Sequence, residues 1–348
     1  MLAGNDVGSA QSDDPAYNEL MDFKLDSFTV IAPEEGHTLA KVLRSRLHAS
    51  LPSWNQVRTL IEGRRVQVGG GVCIDPTRRL REGDRVELLK SPARIPMLNS
   101  DLVLRQLEDH FVVVEKPAGV SSVRHPAELD WPEEKRRLDP TLQDLTQWQI
   151  AKQLNRNAKT LPPLRIVHRL DRDTSGLLLF ARTVLAEREI GRQFRKHTVV
   201  RRYLALVPGI FLPQTIRTTL IRDRGDGRRG STKQPDVTGK EAITHVTVEE
   251  ALPGFTLLSC KLETGKTHQI RIHLSEAGHP VCGEKVYTKT TGGVELPKAM
   301  HAPRLCLHAA ELGFEHPVTN AHVHWAMPLP RDIQTFVDTI RKSHFKRS

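Results

Sequence analysis

Short uninterrupted apolar runs are set among helical patterns along most of this chain. Phe111-Val112-Val113-Val114 and Leu177-Leu178-Leu179-Phe180-Ala181 are short enough to read as buried strands. The second run follows a charged stretch, His168-Arg169-Leu170-Asp171-Arg172-Asp173-Thr174-Ser175-Gly176. That stretch is read as a loop at the strand's mouth. Acids and arginines beside a buried strand are costly unless they are paired. Charge crowded against a core is also where function often sits. The plain alternative is a surface turn tied down by salt bridges.

The same patterning divides the chain. Residues 1–25 are rich in Gly, Ser and Asp, show no period, and read as a disordered tail. Residues 26–90 form a small block. A strand lies near Phe28, and a helix after Thr38 carries Leu39, Val42, Leu43 and Leu47 on one face. A second helix is capped by Ser53, carries Val57, Leu60 and Ile61, and stops at Gly63. Val66-Gln67-Val68 and Arg85-Val86-Glu87-Leu88 supply strands. Residues 91–101, with Pro92 and Pro96, read as a linker.

Residues 102–331 make the larger domain. It contains both buried strands, a helix over Leu142–Leu154, and a helix over Val184–Lys196 with Ile190 and Phe194 inward. A strand over Val199–Val207 follows. Leu262–Leu274 alternates, which predicts a strand with Gln269, Arg271 and His273 on one face and Ile270, Ile272 and Leu274 on the other. Residues 332–348 predict a helix and a basic tail.

A length of 348 residues favours two domains. Lysine plus arginine number 51 against 41 acids, a net charge of +10, which suits a polyanionic partner, nucleic acid first. Cys73, Cys260, Cys282 and Cys306 are far apart, form no C-x-x-C pair, and fit a reducing cytoplasm. The N-terminus lacks the apolar core of a signal peptide, and no apolar run has membrane-span length, so no membrane association is expected.

Two decoys can be set aside. Asp173-Thr174-Ser175-Gly176 matches the D-T-S-G of aspartic proteases, but that chemistry needs two matched carboxylates. The other Asp-Thr pair, Asp338-Thr339, is followed by Ile340. His268 and His273, five apart on the expected strand, would point to opposite faces, and His322 and His324 lack a third ligand. No metal site is expected.

His168-Arg169-Leu170-Asp171-x-x-Thr174-Ser175-Gly176-Leu177-Leu178-Leu179 resembles the catalytic motif of the RluA-type pseudouridine synthase family. Other stretches resemble that family's motifs in its order. They are Val112–Gly119, Arg201-x-Tyr203-x-Ala205-x-Val207, the basic loop before Gly239-Lys240, Thr264–Leu274, and Gly278-His279-Pro280-x-x-Gly283-Glu284. Arg201 stands for a usual Lys, Lys266 for Arg and Glu284 for Asp, and each keeps its charge. Residues from Leu39 to Lys90 resemble the RNA-binding module first seen in ribosomal protein S-four.

The resemblance implies an α+β fold. It consists of a pseudouridine synthase domain with a bent, largely antiparallel sheet, preceded by the small α/β RNA-binding module. It implies conversion of uridine to pseudouridine in structured RNA, with Asp171 as nucleophile or base. Tyr203 is expected to pack on the target base, with Ile270 or Ile272 beside it. Arg271 is expected to pair with Asp171 and keep it ionised, and Arg169 to meet substrate or backbone. Arg58, Arg64 and Arg65 are expected at RNA; Lys116 is expected as a phosphate contact or a structural one. No metal or organic cofactor is implied. Large-subunit rRNA is the first expected partner and tRNA the second, for a cytoplasmic monomer. The rival reading is a non-catalytic RNA-binding or ribosome-assembly protein of the same fold.

Overall fold

The computed structural model describes residues 27–47, 53–89, 93, 102–133, 136, 139–232, 238–289, 294–296 and 302–343. The expected N-terminal tail, all of the expected linker but Ala93, part of the basic loop (233–237) and the last five residues lie outside them. Contacts divide the chain into two compact units, with a boundary near residue 100 and residues 130–139 grouped with the first.

In the first unit, capping residues fix where the helices start. Thr38 Oγ1 accepts from Lys41 N at 3.3 Å and opens α1 (Leu39–Arg46). Ser53 and Gln56 exchange capping bonds to open α2 (Trp54–Glu62). The strands β1 (Ser27–Thr29), β2 (Val66–Val68), β3 (Gly71–Val72) and β4 (Arg85–Leu88) form an antiparallel sheet in the order β1-β4-β2-β3. Leu39, Leu43, Val57, Ile61, Val66 and Val86 belong to one buried core between helices and sheet.

Two residues expected at RNA are corrected here. Arg64 and Arg65 are both buried. Arg64 follows α2 in a left-handed conformation and donates from Nε to Ala93 O at 3.1 Å. The carbonyl of Arg65 accepts from Leu89 N. Their place just after a helix looks solvent-facing in sequence, but the chain folds back over them. Arg58 is exposed.

The second unit opens with β5 (Leu104–Leu107) and β6 (Phe111–Lys116), then α3 (Leu142–Gln153), β7 (Arg165–Ile166), β8 (Ser175–Ala181) and α4 (Val184–Arg195). Next come β9 (Val200–Pro208), β10 (Gln214–Ile221), β11 (Gly230–Thr232), β12 (Lys240–Leu252) and β13 (Phe255–Leu262). It closes with α5 (Gln269–Glu276), β14 (Leu307–Glu315), β15 (His322–Ala326) and α6 (Arg331–Ser343). The sheet runs β11-β10-β12-β13-β9-β14-β8-β6-β5, with β7 beside β8 and β15 beside β14. Among the described strands only β8 and β14 pair in parallel. Register shifts at Val248/Glu250 and Ala309/Glu311 bend it, as β-bulges do. Every residue of β8 is buried, which is why its sequence is apolar without alternation.

One row across this sheet sets up the site. Gly176 on β8 pairs with Ala309 on β14, which pairs with Tyr203 on β9. Two strand spacings, roughly 10 Å, therefore separate Gly176 from Tyr203. Gly176 has φ +124°, and a Cβ there would collide with the Ala309 backbone. We expect Gly176→Ala to cost about 3 kcal/mol or more, from overpacking added to backbone strain. A urea-unfolding midpoint equal to that of the wild type would contradict this.

The stretch after β13 departs from the sequence reading. Gln269–Glu276 is a helix, not a strand. Every residue from Gln269 to Ser275 is buried, so both faces of the helix meet the core and no amphipathic period is written into it. The alternation Gln-Ile-Arg-Ile-His-Leu is thus a by-product of all-round burial. The face assignment changes with it. Gln269 and His273, four apart, share a helix face toward β12. Arg271 leaves on another side.

Candidate active site

The motif loop is held from below by β6 and the turn after it. Lys116 is 1% exposed, and its ammonium donates to Pro117 O (2.9 Å), Arg172 O (2.8 Å) and Thr174 O (2.7 Å). Burial pushes its pKa down to about 7. The three carbonyls, which together need an ammonium, oppose that shift. Of the two readings open for Lys116, burial removes phosphate contact and leaves the structural one. Gly119 N donates to Arg172 O at 2.8 Å, and Arg172 Nε returns a bond to Gly119 O at 3.0 Å. Ser122 Oγ donates to Leu170 O (2.7 Å) and accepts from Leu170 N (3.0 Å). These bonds bracket Asp171 from both sides in sequence.

His168, at the start of the loop, is also structural. Its Nε2 accepts from Leu179 N at 3.0 Å, and its ring stacks on Phe194 with centroids 4.7 Å apart. Burial pushes its pKa down to about 3. His273, between Thr244 Oγ1 and Thr218 Oγ1 (2.9 Å each), and His308, at 3.0 Å from Ser175 Oγ, are pushed down to about 4 by burial. The folded values lie below the ordinary 6.5, so the unfolded chain takes protons first. This stability is complete above about pH 6.5 and is lost as pH falls toward 4 and then 3. Urea midpoints should fall across that window; a flat profile from pH 7 to pH 4 would contradict it.

Asp171 faces a cleft of about 700 Å³. Arg169, Asp171, Tyr203, Ile270 and Arg271 all line it. These five are the catalytic and substrate residues expected from the motifs, and the fold brings them together from the segments 169–171, 203 and 270–271. Tyr203 is nearly buried, and burial pushes its pKa up to about 12, so it presents a neutral phenol. Ile270, in the first turn of α5, is buried with its edge on the cleft. Arg169 is exposed at the rim. Arg195 and Lys266 add positive charge to the lining, against the acids Asp171 and Glu187.

Arg271 reaches two carboxylates. Nε and Nη2 bind Glu284 at 2.7 and 2.6 Å in a bidentate pair. Nη1 lies 3.5 Å from Asp171 Oδ2. Burial works against the guanidinium's charge, but the Glu284 bonds outweigh it and raise its pKa. Burial alone would raise the Glu284 carboxyl; Arg271 and the N–H groups of Val286 and Tyr287 hold it below its ordinary value. Glu284 therefore aims the arginine.

Sequence reasoning did not place Glu284, His268 or Tyr287 in the site. The signal for Glu284 was its charge-preserving replacement of an Asp in the Gly-His-Pro motif. His268 was weighed as a metal ligand and set aside on strand geometry. It sits in left-handed conformation at the start of α5, with Nδ1 2.7 Å from Tyr287 Oη and Nε2 3.9 Å from Asp171 Oδ2. No group of three or more metal-ligating side chains occurs among the described residues.

Residues 110–276 match the family model for RNA pseudouridylate synthase. An uncharacterized RNA pseudouridine synthase of Bacillus subtilis is 33% identical over 84% of this chain and 90% of its own length. The ribosomal large subunit pseudouridine synthase D of Zymomonas mobilis is 34% identical over 76% of this chain and 82% of its own. The chain belongs to the RNA pseudouridine synthases. This family comprises isomerases that act on RNA. The corresponding synthase D of Nitrosomonas europaea is 38% identical over 67% of this chain, which spans 64% of that protein. The fold agrees. Human RNA pseudouridylate synthase domain containing 4 superposes with a TM-score of 0.54 at 20% identity, covering 68% of this chain and 92% of that one. No described helix is long and apolar enough to cross a membrane.

Proposed function

We propose that the protein isomerises uridine to pseudouridine in large-subunit ribosomal RNA, with Asp171 as the catalytic carboxylate. The observation that carries this reading is the meeting of Asp171, Tyr203 and Arg271 in one cleft, with Arg271 Nη1 3.5 Å from Asp171 Oδ2. The choice of RNA is supported by relatives named as ribosomal large subunit enzymes.

The reaction breaks the bond from N1 of uracil to C1′ of the ribose and makes one from C5 to C1′. A proton leaves C5 and one is gained at N1, so atoms and electrons balance without an oxidant or reductant. A carboxylate serves as nucleophile at a glycosidic carbon or as proton acceptor. Arg271 places a guanidinium 3.5 Å from the Asp171 carboxylate at the cleft wall. Tyr203 offers a flat apolar face to a flipped base, worth about 1–3 kcal/mol. Flipping the nucleotide costs roughly a few kcal/mol, which phosphate contacts at Arg169, Arg195 and Lys266 offset. The front unit adds backbone contacts through exposed arginines such as Arg58.

The test is pseudouridine mapping after incubating the purified full chain with large-subunit rRNA transcripts and, separately, with tRNA. The expected product is pseudouridine at defined rRNA positions. Modification of tRNA alone, or RNA binding without any modification, would overturn this reading.

A further inference from the structure

We propose that His268 is a positioning residue for Asp171: together with Arg271 it fixes Oδ2 and leaves Oδ1 to meet the nucleotide. This rests on the reading of Asp171 as the catalytic group. His268 Nε2 and Arg271 Nη1 approach the same oxygen, at 3.9 and 3.5 Å. A carboxylate held by two groups at one oxygen is stopped from rotating, and its second oxygen has a fixed direction. The 3.9 Å spacing is longer than a hydrogen bond. Such contacts in an empty site commonly tighten when substrate binds.

The backbone at His268 supports the assignment. It has φ 60° and ψ 17°, a conformation that non-glycine residues adopt at a cost. The side chain makes no capping bond to the helix it precedes, so capping does not explain its position. The ring is directed into the cleft that Asp171 faces.

The chemistry of the imidazole is set by Tyr287. Its phenol oxygen is 2.7 Å from Nδ1, and burial pushes its pKa up to about 12, so it keeps a proton to donate. Burial also lowers the pKa of His268 and favours the neutral ring. A neutral ring that accepts at Nδ1 carries its own proton at Nε2, on the side of Asp171. Tyr287 is itself fixed: its ring is buried against Ile272, its carbonyl accepts from Ser275 Oγ at 2.9 Å, and Arg271 lies 5.5 Å from the ring centroid. Glu284 aims Arg271 and Tyr287 aims His268, so one short segment, residues 284–287, supports both groups that converge on Oδ2.

The experiment measures single-turnover pseudouridine formation and RNA Kd for full-length His268→Ala, His268→Gln, Tyr287→Phe and the double variant His268→Ala/Tyr287→Phe. The RNA is one that the wild type modifies. His268→Ala should slow the chemical step by about 10- to 100-fold with Kd within about twofold. His268→Gln retains an N–H donor and should recover most of that loss. Tyr287→Phe should slow the step by a smaller factor that vanishes in the His268→Ala background, because both act through one hydrogen-bonded chain. Wild-type rates in His268→Ala would overturn the inference. So would equal loss in the Ala and Gln variants, or a Tyr287→Phe loss that multiplies in full. If His268→Ala fails to fold, the Gln and Phe variants still decide the matter by rate at unchanged Kd. Asp171→Ala run alongside separates the two claims: turnover by that variant defeats the reading of the site, whereas its silence beside an unaffected His268→Ala defeats only the role of His268.

Discussion

Asp171→Ala should abolish pseudouridine formation, with a loss of about 10⁴-fold or more, while RNA affinity changes by less than about threefold. The two halves of this expectation come from different parts of the structure. The carboxylate lines the cleft 3.5 Å from Arg271 and 3.9 Å from His268. On the proposed reading RNA affinity comes from Arg169, Arg195 and Lys266 in the cleft lining and from exposed arginines such as Arg58. Among the described residues Asp171 pairs with His268 and Arg271, and with none of these. The loop should also keep its shape, because its anchors are backbone groups. Lys116 binds the carbonyls of Arg172 and Thr174, and Ser122 binds both backbone groups of Leu170. A variant that turns over at even a tenth of the wild-type rate would be incompatible with this account.

The second large effect belongs to Arg271. Its side chain is 7% exposed and that of Glu284 is 2% exposed. Arg271→Met leaves Glu284 buried and uncompensated, which should destabilise the fold by about 3–5 kcal/mol. The same change removes the cation beside Asp171 and should stop catalysis. The two losses can be separated. In Arg271→Met/Glu284→Leu both buried charges are gone, and an apolar pair replaces them. Stability should recover most of that loss, because a buried ion pair contributes little net over well-packed apolar groups. It should stay short of wild type because the N–H groups of Val286 and Tyr287 lose their acceptor. Activity should stay lost. Recovery of both in the double variant would mean that Arg271 is only a structural ion-pair partner. Urea midpoints and single-turnover rates on the same preparations give the answer.

Much of the fold could be read from local signals. Strands β6 and β8 announce themselves as short apolar runs, and β8 is apolar at every position because it is covered on both faces. Helices α1, α2 and α4 begin where Thr38, Ser53 and Thr183 cap them. Helix α5 could not be read this way. A helix buried all round carries no polar face, and its Ile, Arg and His residues resemble a strand as much as a helix. The functional consequence is direct, since α5 supplies Ile270 and Arg271.

The candidate site was legible as a set of residues and not as an arrangement. Asp171, Tyr203 and Arg271 were singled out by motif, and the row Gly176-Ala309-Tyr203 sets the strand that follows the Asp171 loop two strands away from Tyr203. Lys116 and Arg64 show the limit of reading charge from sequence. A lysine at a strand end and an arginine after a helix look solvent-facing. Besides the adjacent Pro117 carbonyl, their acceptors are carbonyls far along the chain, at Arg172, Thr174 and Ala93, which only the folded chain brings near. Glu284 and Tyr287 escaped for the same reason: each acts by holding another side chain.

The most direct test of the central claim is a map of pseudouridines in large-subunit rRNA from cells lacking the protein, with wild-type or Asp171→Ala protein restored. The account predicts that defined sites lose pseudouridine, regain it with the wild-type protein, and do not regain it with Asp171→Ala. An unchanged map in the deletion, or full restoration by Asp171→Ala, would contradict it.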